Sequence, residues 1–119
     1  MWWLAGLIAL QPVPGVAAPG SRDFDMQCML VTQQAASALP DKDMALMAQI
    51  AAMFFMGRVD SSVTQAQLGA LAEQAAGAIK GKPIGPILQS CGDFMQRRGK
   101  IFEQVGTEVE GREQGRATR

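Results

Sequence analysis

The stretch DKDMALMAQIAAMFFMGRVD, residues 41–60, decides the architecture. Between Met44 and Met56 Gln49 is the sole polar residue. The apolar side chains fall on every face at helical spacing, without the alternation of a half-buried strand. Asp41 follows Pro40 and suits an N-cap, and Asp43 places negative charge at the positive end of the helix. A helix that is apolar all round must be covered on all sides, so this one is expected to be the central, most buried element. Phe54 and Phe55 are expected in its innermost turn. Gly57 and the alanines at 45, 48, 51 and 52 are expected to let neighbouring backbones approach closely. The run from Gly57 to Asp60 hands over to the next element.

Upstream, Asp23 is a plausible N-cap for a first helix on which Phe24, Cys28, Val31, Ala35 and Ala38 share one face, and Pro40 ends it. Downstream, VTQAQL (63–68) reads as a capping box, with Thr64 as N-cap, Gln67 reaching back, and Val63 and Leu68 as the hydrophobic staple. Leu68, Leu71, Ala72, Ala75 and Ile79 form the expected buried stripe of this third helix, and Gly81 is a suitable stop. GKPIGP (81–86) is a turn, with either proline able to open a last helix. Along that helix Ile87, Leu88, Cys91, Phe94, Met95, Ile101, Phe102, Val105 and Val109 recur at spacings of three and four. From Gly111 the composition turns polar, and 111–119 is expected to fray. The fold class is therefore all-α: one domain over 23–110, a small orthogonal or up-down four-helix bundle.

The first residues read differently. WWLAGLIAL (2–10) is apolar, Pro12, Pro14 and Gly15 interrupt it, and Ala17 and Ala18 follow. That pattern predicts an export signal over 1–18, cut after Ala17 or slightly later, and hence a periplasmic or secreted mature chain. Its positive charge would come from the α-amino group alone. The cysteine count agrees: two in a small exported chain point to a Cys28–Cys91 bridge, two buried free thiols being the alternative.

The 119 residues carry no net charge, which gives no footprint for nucleic acid or an anionic membrane surface. Histidine and tyrosine are both absent, removing the usual general base, and no cysteine spacing suits a metal. Asp41 and Asp43 fit capping, Ser61 and Ser62 a loop, and Arg97 and Arg98 a solvated helix face. GKPIGP lacks the spacing of a phosphate loop. No enzyme, cofactor or metal site is expected. Binding is a stronger expectation, because Met makes up 8 of the residues and apolar content exceeds what one small bundle buries readily. Phe94, Ile101, Phe102, Val105 and Val109 are the expected interface residues, with the distal part of the last helix packing against a second copy.

An exported chain with a Cys on its first helix, FFMGR (54–58) on its second and a second Cys on its last resembles the HdeA-type periplasmic acid-stress chaperones, over about Asp23 to Lys100. The resemblance implies a disulfide-linked helical protein, dimeric at neutral pH, that loosens in acid and binds unfolding clients through apolar surface. It assigns the bridge to Cys28 and Cys91 and the helix-two element to Phe54, Phe55 and Gly57. A shorter run, FFMGRVDSSVTQAQL (54–68), is similar to small periplasmic immunity proteins that block secreted peptidoglycan amidases, at Gly57, Asp60, Thr64, Gln67 and Leu68. The leading expectation is a holdase-like binding protein. An immunity-type inhibitor and a structural accessory protein are the alternatives.

Overall fold

The computed structural model describes residues 16–117, so the apolar run 2–10 of the expected export signal lies outside the described residues. Four helices follow in order: α1 (Arg22–Ala38), α2 (Lys42–Ser62), α3 (Gln65–Ile79) and α4 (Ile84–Ala117). Among the described residues there is no strand. Cys28 and Cys91 are bridged, with their Cα atoms 5.6 Å apart, tying α1 to α4.

Local signals set most of the boundaries. Ser21 is the N-cap of α1, its Oγ accepting from the Phe24 N–H at 3.2 Å, so the cap lies two residues before the expected Asp23. The α1 helix ends where Leu39, held extended before Pro40, donates its N–H to the Ala35 carbonyl. Asp41 caps α2 as expected, its Oδ1 accepting from the N–H groups of Asp43 and Met44 at 2.9 and 3.2 Å. At α3 the Thr64 N–H donates to Gln67 Oε1 at 3.0 Å, forming the reach-back half of the capping box. Gly81 terminates α3 with φ +74°, a conformation that glycine adopts without steric penalty. The 34-residue α4 continues through Gly111 to Ala117, helical where polar composition suggested fraying.

The hub of the molecule is α1, which packs on each of the other three helices. This corrects the expectation that α2 is the most buried element. From Phe24 to Cys28 every residue of α1 is buried, whereas α2 buries Ala52, Phe55 and Val59 alone, one narrow stripe. One apolar cluster joins Phe24, Cys28, Val31, Phe55, Ile87, Cys91 and Phe94. Its rings meet edge-on, with Phe24 5.3 Å from Phe94 and 6.1 Å from Phe55 between centroids. A second cluster joins Met26, Val59, Leu71 and Ala75 across α1, α2 and α3. Leu68, expected in the α3 stripe, is exposed at the helix start instead, and Ala38 is exposed at the end of α1. No side chain or backbone outside α2 lies within 4 Å of where a Gly57 Cβ would stand, so Gly57 mediates no close approach.

Burying α1 from Phe24 to Cys28 on all sides, and Thr32 beyond it, puts polar groups inside, and each finds a partner. Gln27 Oε1 accepts from the Ala17 N–H at 3.0 Å, while Val16 and Ala17 pack on the first cluster. The Thr32 hydroxyl donates to the Cys28 carbonyl at 2.6 Å. Asp25, 3% exposed, accepts from Arg58 Nε at 2.9 Å. Among the described residues no buried side-chain polar atom lacks a partner.

Candidate binding surface

The outward side of α2 carries a run of exposed large apolar side chains. Leu46, Ile50, Met53 and Met56, at spacings of four and three, form one strip, and Met47 widens it; Met44 is exposed at the helix start on the opposite side. Met47 is 70% exposed and Met53 71%. Since α2 buries only the Ala52–Phe55–Val59 stripe, with Ala48, Ala51 and Phe54 half-buried beside it, the large apolar side chains on its other side face solvent.

A cleft flanks the strip on each side. One, of about 290 Å³, lies between α1, α2 and α4, with Leu39, Met47, Ala51, Leu88 and Met95 in its walls. The other, of about 520 Å³, lies between α1 and α2, where Gln33, Ser37 and Gln49 add amide and hydroxyl groups beside Met53 and Met56. A ridge of flexible thioethers between two grooves can adapt to apolar side chains of varied shape, because Met has three rotatable bonds and a polarisable sulfur. The amides at the rim add hydrogen-bond donors and acceptors to the cleft.

The base of this surface is braced. Besides its bond to Asp25, Arg58 lies over the Phe94 ring at 4.8 Å from the centroid and donates from Nη2 to the Gly20 carbonyl at 3.4 Å. One side chain thus links α2, α4 and the approach to α1. Sequence reasoning did not pair Arg58 with Asp25, because nothing local marks partners separated by 33 positions.

The other expected site residues are divided by the structure. Phe55 is in the core and Phe54 half-buried beside it, their rings 5.0 Å apart. Asp60 is exposed at the end of α2, and Thr64 and Gln67 are engaged in capping. Phe94 was expected at an interface, but it is core, held between Phe24, Phe55 and Arg58. Ile101, Phe102, Val105 and Val109 are exposed on the projecting part of α4. The α2 face is the surface that the sequence assigned to the interior; six large apolar residues on one helix of a small chain were its signal.

Among the described residues no group of His, Cys, Asp and Glu side chains could hold a metal ion, and no helix is long and apolar enough to cross a membrane. No protein family, curated protein or solved structure matches this chain. The functional argument therefore rests on the chemistry of the surface.

Proposed function

We propose that the protein is an exported, non-catalytic binding protein of the holdase type, which keeps apolar segments of unfolded proteins on the outward face of α2. The observation that carries this reading is the strip of Leu46, Met47, Ile50, Met53 and Met56, uncovered in the folded state and rich in methionine. The Cys28–Cys91 bridge supports an oxidising compartment. The two clefts beside the strip give an extended segment a place for alternate side chains. Because the face stands open in the native fold, binding requires no prior unfolding of the protein itself.

The test is light scattering from chemically unfolded, unrelated proteins diluted at neutral pH. The wild type is expected to suppress their aggregation. A Met47→Glu/Met53→Glu double variant, both sites being exposed, is expected to keep its helicity and lose most of that suppression. Equal suppression by wild type and double variant would contradict the proposal, and so would tight selection of a single partner with no effect on unrelated clients.

A further inference from the structure

A further cleft, of about 630 Å³, lies between α1, α3 and the start of α4, and no residue of α2 lines it. That volume falls within the range of about 300–1,000 Å³ typical of small-molecule sites. Leu30, Ile79 and Ile84 give the cleft its apolar walls. All three are half-buried, Ile79 and Ile84 packed on the first core cluster and Leu30 on the second. Packing against the core therefore holds the walls in place without a ligand.

The edge of the cleft differs in character. Lys80 and Lys82, on the turn that joins α3 to α4, both line it, and Gln34 adds an amide from α1. Among the described residues no acidic side chain lines the cleft, and neither lysine is in an ion pair. The turn itself is held by its backbone. The Lys80 N–H donates to the Ala76 carbonyl at 3.0 Å and the Lys82 N–H to the Ile79 carbonyl at 3.1 Å, on either side of Gly81 at φ +74°. Both lysine stems thus leave from fixed points beside the apolar walls, with two positive charges unneutralised.

We propose that this cleft binds a single-chain fatty-acid carboxylate, its alkyl tail against Leu30, Ile79 and Ile84 and its headgroup between Lys80 and Lys82. An apolar wall that ends at a positive rim is complementary to a ligand with an apolar tail and one terminal negative charge. Each ammonium carries three donors, enough for charge-assisted hydrogen bonds to both carboxylate oxygens. A free inorganic anion would leave the walls unused, and a cationic amphiphile would meet like charge at the rim. The cleft shares no residue with the two clefts beside the α2 ridge, so the inference stands apart from the proposed function.

The experiment is a titration of the folded, oxidised protein with decanoate below its micellisation concentration, followed by calorimetry and by amide and methyl NMR. Decanoate is expected to bind with a dissociation constant below about 1 mM and to move the signals of Leu30, Ile79, Gly81 and Ile84. Lys80→Gln/Lys82→Gln, both sites being exposed, is expected to keep the fold and weaken binding at least about tenfold. Decyltrimethylammonium, with the same tail and the opposite charge, is expected to bind at least about tenfold more weakly than decanoate. Acetate and inorganic phosphate are expected not to bind in the same range. No decanoate binding up to about 1 mM, equal affinity for the cationic amphiphile, an indifferent double variant, or signal changes confined to Met47 and Met53 would each overturn the proposal. So would phosphate bound as tightly as decanoate, which would make the rim a plain anion site.

Discussion

Arg58 shows how much one side chain can organise in a small bundle. Its guanidinium neutralises Asp25, covers the Phe94 ring and reaches the Gly20 carbonyl, so it closes the end of the core where three chain segments meet. Asp25 is nearly inaccessible, and removing its partner would leave a buried carboxylate with no compensating charge. Arg58→Leu is therefore expected to destabilise the fold by about 2–3 kcal/mol, reduced from the fully buried case because the guanidinium side chain is itself partly solvated. Urea denaturation followed by circular dichroism measures this. Asp60→Ala, two residues on and exposed, is expected to change stability by less than about 0.5 kcal/mol. The contrast lay beyond the sequence: both residues follow the same aromatic block, and only the path of the chain brings one of them to Asp25.

At the scale of the helix, α1 and α2 exchange the roles that hydropathy assigns them. An all-apolar helix is buried only if enough other helices exist to surround it, and here α1 already takes a neighbour on three sides. What remains for α2 is one main partner and a narrow buried stripe, with smaller contacts from Phe55 to α4 and from Val59 to α3. Helix positions, the Asp41 cap, the Thr64–Gln67 box and the Gly81 stop were legible because each depends on residues within four positions of one another. Which face of α2 is covered depends on a three-dimensional count of neighbours, which periodicity does not contain. The energetic consequence is a sharp difference between adjacent faces. Phe55→Ala should cost about 3–5 kcal/mol, since its ring is fully enclosed by Phe24, Phe54 and Phe94. Met53→Ser, on the exposed side, should stay within about 0.5 kcal/mol. Chemical denaturation of the two variants distinguishes this arrangement from one with α2 at the centre, which requires both to be severe.

The whole molecule is a hub-and-spoke assembly held at its root by the Cys28–Cys91 bridge, with a separation of 63 residues between the cysteines. The even cysteine count made the bridge legible before any geometry was known. Closing a loop of that size contributes about 4 kcal/mol in the chain-entropy model. Reduction is thus expected to lower the denaturation midpoint substantially, and α4, joined to the hub over its first turns alone, is expected to lose hydrogen-exchange protection before α1 does. Two apolar surfaces then remain outside the core: the ridge of α2, and Ile101, Phe102, Val105 and Val109 on distal α4. The ridge can be examined in the unmodified protein by timing methionine oxidation with dilute peroxide, read residue by residue by mass spectrometry. Met47 and Met53 are expected to oxidise fast and the enclosed Met26 slowly; an unfolded client in excess should slow Met47 and Met53 severalfold and leave Met26 unchanged. Protection of Met47 and Met53 without any client, or identical rates with and without one, would contradict an open client-binding face on α2.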